Sequence, residues 1–170
     1  MRFVFTLLPF LLLGTELSAQ GKMERTLKKL NTESVPYIQV EEAVKAENTL
    51  FLDTRKKTEY DVSCLKGAIW VGYEAFDPDS VHTHAPDKDT PIIVYCSIGV
   101  RSEDIGEKLL AMGYTNVKNI YGGIFEWKNK GYPVYDDQET QTDRVHAFDS
   151  YWGKLLKEGE KVYDSVSSDQ

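Results

Sequence analysis

The octapeptide Tyr95-Cys96-Ser97-Ile98-Gly99-Val100-Arg101-Ser102 carries the residue types best able to do chemistry. It follows a continuous apolar run, Pro91-Ile92-Ile93-Val94-Tyr95, and leads into a helical pattern from Arg101 to Met112. A cysteine so placed lies at the carboxyl end of a strand, where open α/β sheets put their sites. The backbone N–H groups of the loop can curl into a nest that holds an anion. The helix N-terminus adds about half a positive charge, and Arg101 adds a full one. Gly99 permits the positive-φ turn that such a nest requires. Together these features favour the thiolate of Cys96, the nucleophilic form of cysteine. A buried cysteine beside a solvated arginine is the plainer reading at arbitrary spacing. The order strand, glycine loop, helix favours the nucleophile.

The elements that must position this loop follow from periodicity. Ile105, Leu109 and Met112 form one helical stripe, closed by Gly113. Apolar runs at Tyr37–Val40, Thr49–Leu52, Ala68–Val71 and Val117–Ile120 read as further strands. Helical stretches are expected over 21–31, 41–46, 56–60 and 124–129. Residues 74–90, with Asp77-Pro78, Ala85-Pro86 and many Asp, read as loop. Continuous rather than alternating strands indicate a parallel sheet covered on both faces. The fold class is therefore α/β, a mostly parallel central sheet flanked by helices on both faces. The tail from Asp136 holds Tyr151, Trp152, Leu155 and Leu156 among charges, so part of it should pack on the domain. Lys157-Glu158-Gly159-Glu160 reads as a hairpin turn or a helix end, and Ser165 to Gln170 as frayed.

With 170 residues, 28% charged and 41% hydrophobic, the chain has globular composition and room for one domain with appendages. The net charge of −7 argues against nucleic acid as a partner. Arg2, the short apolar run Phe3–Leu13 and the small residues around Ala19 read as a cleavable export signal over residues 1–19. That run is too short to span a bilayer, so no membrane contact is expected after its removal. The address is periplasmic or secreted. The expected organisation is signal 1–19, a short helical segment 20–36, a domain 37–135 and an extension 136–170.

Residues 37 to 134 resemble a single rhodanese-homology domain. The resemblance rests on Phe51-Leu52-Asp53-Thr54-Arg55, Glu59-Tyr60, Lys66-Gly67-Ala68-Ile69, Cys96 to Arg101, and Tyr121-Gly122-Gly123-Ile124-Phe125-Glu126-Trp127 through Gly131-Tyr132-Pro133-Val134. It implies a rhodanese-like fold and an exported single-domain sulfurtransferase. The loop from Cys96 to Arg101 is six residues long. Within the family that length belongs to sulfurtransferases, while related phosphatases and arsenate reductases carry one residue more. The implied reaction moves a sulfane sulfur from a small donor anion such as thiosulfate, through a Cys96 persulfide, to cyanide, a small thiol or a protein thiol. Residues Ser97, Ile98, Gly99 and Val100 would bind substrate, and Arg101 would steady donor and persulfide. Asp53 and Arg55 would orient the loop, or simply close a turn as an ion pair.

Where the family often carries a His, this chain has Ser63-Cys64-Leu65. Cys64 admits three readings: buried and inert, redox partner of Cys96, or static disulfide with it. His82 and His84 among Asp77, Asp79, Asp87 and Asp89 match no metal-ligand spacing, so no metal is expected there, and no motif implies a cofactor. His146 receives no role. Two alternatives to sulfur transfer stand: a non-catalytic rhodanese-like binding module, and a thiol-redox enzyme using Cys96 and Cys64. No motif speaks to the oligomeric state.

Overall fold

The computed structural model describes residues 13–164; residues 1–12 of the expected export signal lie outside the described residues. The chain runs through α1 (Leu13–Leu30), β1 (Tyr37–Ile38), α2 (Val40–Ala43), β2 (Leu50–Asp53), α3 (Lys57–Val62) and β3 (Ile69–Trp70). It continues with α4 (Pro78–His84), β4 (Ile92–Tyr95), α5 (Arg101–Ala111), β5 (Val117–Ile120) and α6 (Gly123–Asn129). The extension holds β6 (Val134–Tyr135), β7 (Gln141–Thr142), β8 (Arg144–His146), a 3-10 turn at Trp152–Lys154, and β9 (Glu160–Val162).

Five strands form one parallel sheet in the order β1-β5-β4-β2-β3. β4 is its middle strand and is buried along its whole length. Its side chains alternate between two cores, as the period of a strand requires. Ile93 and Tyr95 meet Met23 and Leu27 of α1 and Ile124 and Phe125 of α6. Ile92 and Val94 meet Val81 of α4 and Ile105 and Leu109 of α5. Helices therefore cover both faces, which is why the strand sequence is continuously apolar. Each such side chain contributes roughly 1.5–3 kcal/mol by leaving water.

Two segments differ from the sequence reading. Residues 78–84 are a helix, not loop. Asp77 caps it, its side chain accepting the Asp79 N–H, and Pro78 occupies the first turn. Asp-Pro is a turn signal, but it is equally a helix cap followed by its favoured first residue. The stretch Lys157–Glu160 makes neither a hairpin nor a helix end. It leads into β9, which pairs parallel with β8, a pairing that no hairpin can make.

The flanks are tied to the sheet domain. Glu103 Oε1, in the first turn of α5, accepts the N–H and hydroxyl of both Thr32 and Ser34 at 2.9–3.1 Å. In the extension Val145, Ala147, Leu155 and Leu156 are buried in the same core as α6. Asn129, at the end of α6, donates to Leu155 O at 2.9 Å and accepts the Lys157 N–H at 2.6 Å. Among the described residues no helix is long and apolar enough to cross a membrane.

Candidate active site

Cys96 is the first residue beyond β4, and the loop from Ser97 to Val100 carries the chain into α5. Its thiol is buried, and the Gly99 N–H donates to Cys96 Sγ at 3.1 Å. The loop stands by having its carbonyls drawn away from the sulfur. Ile124 and Phe125, at the start of α6, donate to Cys96 O at 2.9 Å and Ser97 O at 3.1 Å. The Gly99 carbonyl accepts from Asn119 Nδ2 and Asn31 Nδ2, each at 2.8 Å. Val100 O accepts from Glu103 N at 3.0 Å. These contacts fix the loop backbone around the thiol, and the Gly99 N–H is the donor it brings to Sγ.

Two glycines are required here. Gly99 has φ 105, and its N–H is the one on the sulfur. Gly123 has φ 55, and a Cβ there would stand 2.3 Å from Cys96 O. A side chain at Gly123 forces the loop and α6 apart, and one at Gly99 crowds Ile120 O of β5 at 3.2 Å on a strained backbone.

Arg101 opens α5, and its guanidinium is held by a carboxylate that the sequence reading did not single out as functional. Its NH1 and NH2 groups donate to the two oxygens of Glu59 at 2.6 and 2.8 Å, and NH2 also donates to Ser97 Oγ at 2.9 Å. Ser97 Oγ donates to Glu59 Oε1 at 2.9 Å, and the Lys56 N–H donates to Oε2 at 3.1 Å. Glu59 is fully buried. Burial opposes its ionisation, but the hydrogen bonds and charge of Arg101 outweigh it and hold the carboxyl at about 2. Arg101 thus closes a ring from α3 to the loop, and its charge is largely met before any ligand arrives. The signal for Glu59 was present in the Glu59-Tyr60 motif. What it lacked was a partner, since Arg101 lies 42 positions away.

Asp53 and Arg55 are brought together as an ion pair. Arg55 Nε donates to both Asp53 oxygens at 2.9 and 3.1 Å, and Arg55 NH2 reaches Ser63 O at 2.6 Å. Both residues are fully buried. This pair closes the turn from β2 into α3, and so sets where Glu59 stands.

Both cysteines are free. Cys64 pairs its backbone with Tyr135, at 2.8 and 2.9 Å. Burial pushes its thiol up, partly offset by a hydrogen bond with Tyr60. The Tyr95 hydroxyl accepts the N–H of Leu65, the residue after Cys64, at 3.1 Å. Cys64 does not line the cavity in front of Cys96.

That cavity measures about 150 Å³ and is walled by Leu30, Ile98, Val100, Phe148 and Trp152, with Ser97 and Arg101 beside Cys96. Phe148 and Trp152 come from the extension. The turn at Phe148 is held by His146, which is buried. His146 Nδ1 accepts the Phe148 N–H at 3.1 Å, and Nε2 meets Asp164 Oδ1 at the same distance. His82 and His84 lie on α4. Among the described residues no group of three or more His, Cys, Asp or Glu side chains stands close enough to hold a metal ion.

Comparison with known proteins agrees with this architecture. Residues 38–130 match the family model described as Rhodanese-like domain. A tRNA uridine(34) hydroxylase of Hamiltonella defensa is 35% identical over 104 residues, 57% of this chain and 29% of that protein. The Yersinia pestis protein of the same name is 35% identical over 95 residues, 54% of this chain and 27% of its own length. The chain therefore spans less than a third of these relatives. Among solved structures, a thiosulfate sulfurtransferase from Pseudomonas aeruginosa superposes with a TM-score of 0.57 at 24% identity, over 81% of this chain and 26% of that one. The rhodanese-like domain of the Anabaena sp. Alr3790 protein gives 0.53 at 20% identity, over 62% and 82%. These likenesses establish the rhodanese-like fold.

Proposed function

Because the chain belongs to the rhodanese-like domain family, we propose that it is a sulfurtransferase working through a persulfide on Cys96. The observation that carries this reading is the Gly99 N–H at 3.1 Å from Cys96 Sγ, in a loop whose carbonyls are held outward. A nest of N–H donors stabilises a negative sulfur before and after transfer.

The reaction has two steps. The Cys96 thiolate attacks the outer sulfur of a donor such as thiosulfate. The new S–S bond forms as the donor's S–S bond breaks, and sulfite leaves with the electron pair. The extra sulfur then carries the negative charge, and the N–H groups of the loop hold it. A thiolate or cyanide acceptor attacks that outer sulfur, the S–S bond to Cys96 breaks, and Cys96 returns as thiolate. Glu59 and Arg101 keep the cradle closed through both steps. The thiol-redox alternative needs Cys64 beside Cys96, and Cys64 is not among the residues that line the cavity with Cys96.

Intact mass after incubation with thiosulfate, in wild type and Cys96→Ser, tests the reading. A gain of one sulfur on Cys96, lost on adding cyanide, supports it. Two unmodified thiols would instead favour a binding module. An exported address belongs to the same proposal, and it rests on the amino-terminal pattern alone. A mature chain starting at Gln20 supports it, and one retaining Met1 overturns it.

A further inference from the structure

Exposed apolar side chains gather at one place on the molecule. Among the described residues five large hydrophobic side chains are exposed, and four of them, Leu30, Phe148, Tyr151 and Tyr163, belong to one patch beside Cys96. Leu30 and Phe148 line the Cys96 cavity together with Trp152. The Tyr151 ring stands edge-on to Trp152, with centroids 5.0 Å apart. Tyr163 lies against Gly153, the residue after Trp152. A contiguous exposed patch of this kind marks contact with another surface, and aromatic residues are the type most enriched at such contacts. A small donor or acceptor needs no such rim. All of these rim residues lie outside residues 38–130, so membership of the family does not supply them.

A second cavity, of about 360 Å³, adjoins the first and shares Arg101 and Phe148 with it. Four cations, Arg55, Lys56, Lys57 and Arg101, line it against one carboxylate, Glu74. Arg101 is held by Glu59, and Lys57 pairs with Asp61. Arg55 gives its Nε to Asp53, while its buried NH1 group has no partner. Lys56 Nζ lies 5.8 Å from the Phe148 ring centroid, and Lys22 Nζ lies 5.6 Å from that of Tyr151. The patch is therefore apolar with a positive border, on a chain whose net charge is −7.

That combination fits an acidic partner and not a second copy of this chain. A self-complementary contact would face one positive border with another. A second copy also brings no accessible thiol, because both its cysteines are buried. We propose that the rim of Leu30, Phe148, Tyr151 and Tyr163 docks a partner protein that takes the sulfur, through a segment whose reactive cysteine is flanked by acidic residues. This rests on the sulfur-transfer reading above and names its partner. The partner's cysteine enters the Cys96 cavity, a neighbouring carboxylate enters the cationic one, and apolar residues cover the rim. In the step, the partner's thiolate attacks the outer sulfur of the Cys96 persulfide. The S–S bond to Cys96 breaks, and Cys96 leaves as thiolate with the electron pair. Charge balances, one persulfide anion and one thiolate giving one thiolate and one persulfide anion.

The test uses protein loaded with thiosulfate and three acetylated, amidated pentapeptides, each with a central cysteine and a terminal leucine. The cysteine is flanked by glutamates, by serines or by lysines. Sulfur uptake is followed by mass and expressed per thiolate. The rates should rank glutamate over serine over lysine, spanning about tenfold or more in kcat/KM at low salt and narrowing as salt rises. Lys56→Glu should erase or reverse that ranking. Tyr151→Ser should slow the glutamate peptide about fivefold and leave transfer to 2-mercaptoethanol unchanged. Equal rates for the three peptides would overturn the docking surface, as would full activity with the glutamate peptide in both variants. A dimer, or binding to phosphatidylglycerol vesicles, that Tyr151→Ser abolishes would give the rim to a second copy or a lipid surface instead. If thiosulfate does not load Cys96, the sulfur-transfer reading itself fails. If it loads and the glutamate peptide gains nothing over 2-mercaptoethanol, transfer stands and the docking surface falls.

Discussion

Arg101 and Glu59 meet through two hydrogen bonds of 2.6 and 2.8 Å, joining the end of the cysteine loop to a helix 42 positions earlier in the chain. The carboxylate is buried and the guanidinium side chain is 17% exposed, so the pair is shielded but not sealed. Glu59→Gln removes the charge and leaves Arg101 facing a neutral amide. Breaking such a pair costs about 3 kcal/mol, which lowers Tm by about 10 °C in a chain of this size. Thermal melts followed by circular dichroism check this, and Arg101→Lys should fall between wild type and Glu59→Gln because it loses the two-pronged fit.

The same carboxylate gives a pH signature. Its folded pKa is depressed to about 2, whereas an unfolded Glu titrates near about 4.3. A depressed folded pKa adds stability above the unfolded value, and that stability is lost as pH falls through the folded one. The stability gap between wild type and Glu59→Gln should therefore be flat above about pH 5 and shrink between about pH 4.3 and pH 2. Urea midpoints across that range decide it. A gap that stays constant down to pH 2 would contradict the ion pair.

Asn119 holds the Gly99 carbonyl and is itself held by Ser102 Oγ at 2.8 Å. Asn119→Ala removes one of the two hydrogen bonds on the Gly99 carbonyl, next to the N–H on the sulfur, and should reduce kcat for persulfide formation by up to about tenfold. The KM should move less, because Asn119 does not line the cavity with Cys96. Asn31→Ala, removing the second grip on the same oxygen, should act in the same direction and more weakly. Stopped-flow loading of Cys96 separates the two constants.

Gly123→Ala would put a methyl group 2.3 Å from Cys96 O, on a backbone with φ 55. The loop must then lift from α6, and the two hydrogen bonds from Ile124 and Phe125 weaken. A loss of more than about 2 kcal/mol is expected, with slower reaction of Cys96 with iodoacetamide or thiosulfate. Gly131→Ala is the control, since nothing lies within 4 Å of a Cβ there, although its φ of 79 still exacts some strain.

Cys64 should behave as a structural thiol. Burial raises its pKa, so alkylation should be slow in the native state and become fast only on unfolding. Cys64→Ala is expected to keep Cys96 loading by thiosulfate, measured by intact mass. Loss of loading, with an unchanged melting profile, would restore Cys64 as a redox partner.

The mostly parallel sheet and the place of the cysteine loop were legible from local pattern, while the strand order was not. A continuous apolar run such as Ile92–Tyr95 can be buried on both faces only within a covered sheet, and a glycine-bearing loop after it needs no distant information. The helix at 78–84 was missed because Asp-Pro has the same local chemistry whether it turns the chain or caps a helix. The buried contact of Val81 decides between them. His146 and Phe148 carried no periodic or motif signal, yet one locks a turn and the other walls the cavity. Residue types and short spacings specified which side chains could react and which elements would carry them. The partner of Arg101 and the apolar residues that line the cavity with Cys96 were settled only in three dimensions. Each of these joins residues far apart in the chain, and their meeting is set by the packing of the whole domain rather than by any local preference.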